Sequence, residues 1–174
     1  ERTYNDADGN ITNYYDKNGN ETYLTYDERA NRTGIYSVFF NQWTTFTYEP
    51  TYSLVTSVTD ARNNVTTFTY DARGNLLQRQ DALGGVTTST YNAYGQVLSV
   101  TDPRGNTTTY TYDAYGNVAS TTDALGNTTT YTSDILGRRT SVADALGGVA
   151  QYTYDANGNL LSVTDALNHT TSYT

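Results

Sequence analysis

The chain has 174 residues, of which 13% are aromatic and 16% charged, with a formal net charge of −8 and no cysteine. That balance excludes a disulfide framework, and without a basic cluster it also excludes nucleic acid or an anionic membrane as partner. No apolar run is long enough to span a bilayer, so membrane insertion is not expected.

Leu, Ile, Val and Phe together supply only 30 residues. Such a composition by itself points to disorder. Regular columns of turn residues argue for an ordered repeat instead. The chain opens at Glu1 without Met or a signal peptide, which reads as a processed product or an excerpt.

From the N-terminus, Asp6-Ala7-Asp8-Gly9-Asn10 and Asp16-Lys17-Asn18-Gly19-Asn20 are turns led by an acidic side chain, and Asp27-Glu28-Arg29-Ala30-Asn31 is a degraded third. Residues 1–31 therefore form a degenerate repeat region. Asp6, Asp8 and Asn10 alternate like hard-oxygen calcium ligands, as do Asp16, Asn18 and Asn20. An Asx-led turn requires the same residues, and that reading is preferred.

Residues 32–57 break the pattern. Val38-Phe39-Phe40, Trp43, Phe46 and Tyr48 crowd ahead of Pro50, which the middle of a ladder excludes. The expected element is a divergent aromatic-rich hairpin packing its rings on the sheet. Tyr36, Phe39, Phe40 and Trp43 also make a candidate partner-binding or glycan-binding site.

Residues 58–174 repeat strictly. At a spacing of 21 residues, turns start at Asp71, Asn92, Asp113, Asp134 and Asp155, preceded by Tyr70, Tyr91, Tyr112, Ser133 and Tyr154. Between them a second series starts at Asp60, Asp81, Asp102, Asp123, Asp144 and Asp165. The leading Asp or Asn can accept a backbone N–H two residues on. Position two is Ala almost throughout, with Pro103 once, where the ring presets φ. Position three varies freely, as an exposed apex should. Position four is Gly74, Gly84, Gly95, Gly105, Gly116, Gly126, Gly137, Gly147 and Gly158, replaced only by Asn63 and Asn168. Asn is the residue after Gly that best tolerates positive φ, so the column specifies a left-handed backbone in a bulged hairpin turn.

Segments between turns, such as Asn106 to Tyr112 and Asn117 to Thr122, are rich in strand formers. With 18 Tyr and 34 Thr, cross-strand pairs can stabilise a thin sheet in place of a thick core. The expected fold is all-β, tandem hairpins forming an extended antiparallel sheet of about sixteen strands, with the three regions as one continuous array. A β-solenoid is the alternative. Alternation puts Thr108, Tyr110 and Tyr112 on one face and Thr107, Thr109 and Thr111 on the other, and gives Leu98 and Val100, like Leu161 and Val163, a shared face. His169 is the sole imidazole and lies beside a turn without a nucleophile, so no enzymatic role and no cofactor are expected.

Tyr154-Asp155-Ala156-Asn157-Gly158-Asn159-Leu160, followed by Ser162-Val163-Thr164-Asp165-Ala166-Leu167, resembles the signature of RHS repeats, also called YD repeats. Ser133-Asp134-Ile135-Leu136-Gly137-Arg138 resembles the same motif with its Tyr replaced. The likeness covers nearly the whole chain and is weakest from Arg32 to Val55. It implies a curved, shell-like antiparallel sheet of the kind found in bacterial polymorphic toxins, insecticidal toxin complexes, wall-associated proteins and teneurins. In the toxins the shell encloses an effector. The family's autoproteolytic closing segment has no match here. The resemblance implies a non-catalytic, secreted or cell-surface scaffold whose partners are neighbouring repeats and, in a larger parent, an enclosed effector. A self-assembling filament joined through unpaired edge strands and a glycan-binding adhesin are the rival expectations.

Overall fold

The computed structural model describes residues 2–173, and among them it contains seventeen strands and no helix. Two compact units divide the chain, Glu1–Thr88 and Ser89–Thr174. The first holds β1 (Arg2–Asn5), β2 (Ile11–Tyr15), β3 (Glu21–Tyr26), β4 (Arg32–Ser37), β5 (Gln42–Tyr48), β6 (Val55–Thr59), β7 (Val65–Tyr70), β8 (Leu76–Gln80) and the start of β9 (Val86–Tyr91). The second holds the end of β9, then β10 (Val97–Thr101), β11 (Thr107–Tyr112), β12 (Val118–Thr122) and β13 (Thr128–Ser133). It closes with β14 (Arg139–Ala143), β15 (Val149–Tyr154), β16 (Leu160–Thr164) and β17 (Thr170–Ser172).

In the first unit, β1 through β9 pair antiparallel, each with the next in sequence. In the second, β10 through β17 do the same. These local reversals are incompatible with a β-solenoid, whose coils stack in parallel, and the meander stands in its place.

Each reversal of the strict repeat passes through a left-handed residue. Its glycines lie between φ +77° at Gly137 and +90° at Gly158, and Asn63 and Asn168 hold +63° and +66°. The N-terminal turns put Gly9, Gly19 and, less comfortably, Ala30 (+61°) at the same place.

The two hairpin types differ in register. Across the second-series turn, Thr101 faces Thr107 and Val100 faces Thr108 without interruption. Across the Tyr-Asp turn the ladder skips a residue: Tyr154 faces Leu160 while Thr153 faces Ser162, leaving Leu161 as the extra residue of a bulge. The alternation expected for Leu161 and Val163 contained no such bulge. Leu160 opposite Tyr154 and Val163 opposite Tyr152 accompany the tyrosines, and Leu161 is 44% exposed. A bulge breaks the period of two, which sequence alternation assumes.

Among the described residues no hydrophobic side chain is buried, and Gly34 is the one buried residue. Within each unit the sheet is thus one layer thick. Hydroxyl pairs across strands replace core packing on one face, as in Thr111 with Ser120 (2.7 Å) and Thr153 with Ser162 (2.7 Å), each pair contributing roughly 0.2–1 kcal/mol.

Gly126 has φ +86° and no heavy atom within 4 Å of where a Cβ would stand, so substitution there probes backbone strain alone. Gly126→Val should destabilise the second unit by about 1–2 kcal/mol in denaturant melts. Gly126→Asn should cost far less, as Asn63 and Asn168 imply. Equal melting of the Val variant and wild type would refute the strain.

Candidate functional site

The residues that recur most strictly build the turns, and Asp113 shows how. Its N–H donates to Asn117 O (2.9 Å), and the Gly116 N–H donates back to Asp113 O (3.1 Å). Oδ1 accepts the backbone N–H of Tyr115 (2.9 Å) and of Asn117 (2.9 Å), while Oδ2 accepts the Asn117 side-chain amide (3.0 Å). One carboxylate therefore fixes the apex and the exit of the loop. Asp71 with Asn75, Asp102 with Asn106, Asp123 with Asn127 and Asp155 with Asn159 repeat the arrangement.

The fifth position, unassigned when the turns are read as tetrapeptides, thus belongs to the motif. Its variants keep the contact by other chemistry. Asn92 donates its amide to Gln96 Oε1 (2.7 Å), Arg138 pairs with Asp134 (2.7 Å), and His169 Nδ1 lies 3.0 Å from Asp165 Oδ2. At Gly85 and Gly148 a Cβ would stand 2.7 Å from Oδ2 of Asp81 and Asp144, respectively, so the carboxylate fills the space that a side chain would need.

The tyrosine before the turn does separate work. Tyr112 donates its hydroxyl to Val97 O (2.7 Å) and Tyr154 to Arg139 O (2.9 Å). In the first unit Tyr26 reaches Ile11 O (2.9 Å), Tyr48 reaches Arg32 O (2.7 Å) and Tyr70 reaches Val55 O (2.7 Å). Each acceptor is the first residue of the preceding strand. The β6–β7 ladder runs only from Thr59 with Val65 to Ser57 with Thr67, so the hydroxyl bridges the strands beyond the last ladder pair. Sequence spacing carried no hint of this bond.

Turns on the Tyr-Asp edge are also tied to one another. Gln96 Nε2 donates to Gly116 O (2.9 Å) and Arg138 to Asp155 O (2.9 Å), while Tyr52 donates to Ala72 O (3.0 Å) and Arg29 to Pro50 O.

The passage 32–57, read from sequence as a break, keeps the motif in altered form. Tyr48 makes the tyrosine bridge, and Glu49 stands where Asp is expected: its N–H donates to Leu54 O (2.9 Å), and its carboxylate accepts the N–H of Thr51, Tyr52 and Leu54. The longer side chain matches a loop one residue longer, with Ser53 in the left-handed position at φ +56°. Pro50 lies in this turn, outside any ladder.

The four aromatic candidates separate. Tyr36 faces Trp43 across β4 and β5, with ring centroids 5.0 Å apart and stacked, and Tyr23 faces Tyr36 from β3. The indole occupies the space above Gly34, where a Cβ would come 2.8 Å from Trp43 Cζ3. Phe39 and Phe40 instead form an edge-to-face pair, 4.8 Å between centroids, at the hairpin tip.

At the two turns considered for calcium, the leading carboxylates serve their own loops. Asp6 accepts from the N–H groups of Asp8 and Asn10 and the Asn10 amide; Asp16 does so from Asn18 and Asn20. Among the described residues no three His, Cys, Asp or Glu side chains gather in a metal-binding group. Glu21 accepts the Tyr15 hydroxyl at 2.6 Å, a bond that pushes the Tyr15 pKa up to about 12.

Two tests follow from these bonds. Tyr112→Phe should lower stability by about 0.5–1.5 kcal/mol, and Ser133→Tyr, offering a hydroxyl toward the first residue of β12, should raise it similarly; both are read from denaturant midpoints. The side-chain amide of the partner Asn holds the carboxyls of Asp71, Asp113, Asp123 and Asp155 below the ordinary value of 3.8. Their stabilisation is fully present above 3.8 and is lost as pH falls through the lower folded values. Thermal melts should therefore shift downward in that acid window, and less so when these Asn residues are replaced by Ala.

The RHS repeat family model matches residues 53–86, 91–128, 113–149 and 154–174. No curated protein sequence matches the chain. Its fold is similar to a crystal structure of TcdB2-TccC3, with a TM-score of 0.79 and 20% identity over 94% of this chain. It is also similar to a Photorhabdus luminescens Tc holotoxin pore, with a TM-score of 0.57 and 19% identity over 98% of this chain. The chain spans only 10% and 9% of those two chains. With the family model matching most of the sequence and the tyrosine-led, carboxylate-locked hairpin recurring in both units, the chain belongs to the RHS repeat family.

Proposed function

We propose that this chain is a wall segment of a larger secreted or cell-surface RHS protein, a non-catalytic scaffold that encloses an effector carried by the same assembly. The observation that carries the reading is the lack of buried hydrophobic side chains among the described residues in sheets whose every reversal is nonetheless locked by side-chain hydrogen bonds. A globular enzyme or binding domain depends on a packed core to hold its site. A single layer fastened at its edges suits a partition between two compartments.

The sole imidazole fits the same reading. His169 takes the fifth turn position opposite Asp165, a place held elsewhere by Asn, and acts there as a turn partner. The neighbouring solved structures include toxin complexes, which supports enclosure as the purpose of the wall.

The test is a full-length protein that carries this segment. Electron micrographs should show hollow particles, and limited proteolysis should spare an enclosed portion that becomes digestible once the wall is opened by acid. Open fibres of indefinite length would overturn the reading in favour of a filament.

A further inference from the structure

We propose that the β4–β5 hairpin tip is an interfacial lipid anchor, with Phe39 and Phe40 entering the boundary of a neutral, zwitterionic bilayer. Phe39 is 68% and Phe40 66% exposed, with Val38 beside them at 42%. Their edge-to-face contact makes the apolar tip a preformed surface. Exposed apolar clusters of this kind mark interaction sites.

The backbone is prepared for leaving water. Val38 N–H donates to Glu21 O (3.0 Å), Asn41 N–H to Val38 O (3.3 Å) and Phe40 N–H to Ser37 Oγ (3.4 Å). Unsatisfied backbone groups are what hydrocarbon penalises most, and these three donors are already paired.

Polarity is graded along the hairpin. Beneath the phenylalanines stand Trp43, 45% exposed, and Tyr36, whose hydroxyl donates to Asn41 Oδ1 (2.7 Å). Amphipathic aromatics of this sort settle at headgroup depth. Gln42, Trp43 and Thr44 carry β5 beyond Thr45, the last residue paired with β6, so the tip projects past that neighbour.

Charge selects the lipid. No charged residue lies between Arg32 and Glu49; the flanking turns on this edge carry Asp16 with Lys17 and Asp60 with Arg62, and Glu21, whose carbonyl accepts the Val38 N–H, adds one negative charge. A surface without excess positive charge on a chain of net charge −8 favours phosphatidylcholine over anionic headgroups. The hairpin lies in the interface and spans nothing, which agrees with the absence of a transmembrane run.

The experiment is co-flotation of the chain with phosphatidylcholine vesicles, with Trp43, the single tryptophan, as reporter. Wild type should float, and its emission should shift to the blue and be quenched by brominated lipid. Phe39→Ser with Phe40→Ser should lower partitioning by about tenfold or more, the loss expected when two aromatic side chains no longer leave water. Circular dichroism should not change, because the tip supports no other packing. Leu83→Ser, at a turn apex where Leu83 is 97% exposed, should partition like wild type. Failure of wild type to float, undiminished flotation of the double variant, a preference for phosphatidylserine vesicles, or Phe-dependent dimerisation without vesicle binding would each overturn the anchor.

Discussion

The structure depends on one interaction, a carboxylate oxygen that accepts two backbone N–H groups from the loop it starts. In an ordinary domain a turn is held by the core beneath it. Among the described residues there is no such core, and each reversal must be fixed by its own atoms. Asp Oδ1 binds the N–H groups two and four residues on, as at Asp71 with Arg73 and Asn75, and thereby sets the path on which the next strand departs. Hydrogen bonds to charged acceptors contribute more than neutral ones. The left-handed fourth residue follows from the same geometry, because the chain must turn back within the reach of that side chain.

Most of this was legible in the sequence. The Asp and Gly columns announced hairpins, because backbone requirements act on single positions and leave single-residue signatures. The tyrosine bridge was not legible: Tyr112 and Val97 are joined only through the register of two strands, which spacing does not disclose. The bulge at Leu161 was hidden for a related reason, since alternation assumes an uninterrupted ladder. The turn within residues 32–57 was not legible because Glu49 and Ser53 jointly replace Asp and Gly in a longer loop. Each change alone breaks the expected column, and only the paired geometry shows that they compensate. The aromatic candidates were grouped by proximity in sequence, yet the pleat and the turn send Tyr36 and Trp43 to the sheet and Phe39 and Phe40 to its edge.

Within each unit the two edges of the sheet are not equivalent. On the Tyr-Asp side, tyrosine bridges lie beneath turns that are tied by bonds such as Gln96 to Gly116 O and Arg138 to Asp155 O. On the other side, Leu83, Leu125 and Leu146 stand at the apices, 97%, 88% and 97% exposed. Within each unit the first edge is stapled at several of its turns. The second presents side chains that do nothing for their own turn, and in the first unit it is also the edge that carries Phe39 and Phe40.

That asymmetry connects stability with function. When each hairpin is held by its own turn side chain, a carboxylate in most of them, and by contacts with its immediate neighbours, stability accumulates roughly as a one-dimensional sum. A change at one apex then perturbs one or two terms and leaves distant hairpins untouched. Such a sheet can therefore accept an aromatic tip between two ordinary turns, provided the replaced loop still satisfies its own backbone. Glu49 and the paired donors of Val38, Phe40 and Asn41 meet that condition on either end of β5. Specialised surface thus falls on second-series apices such as those of Leu83, Leu125 and Leu146, whose side chains the mechanism of stabilisation leaves exposed.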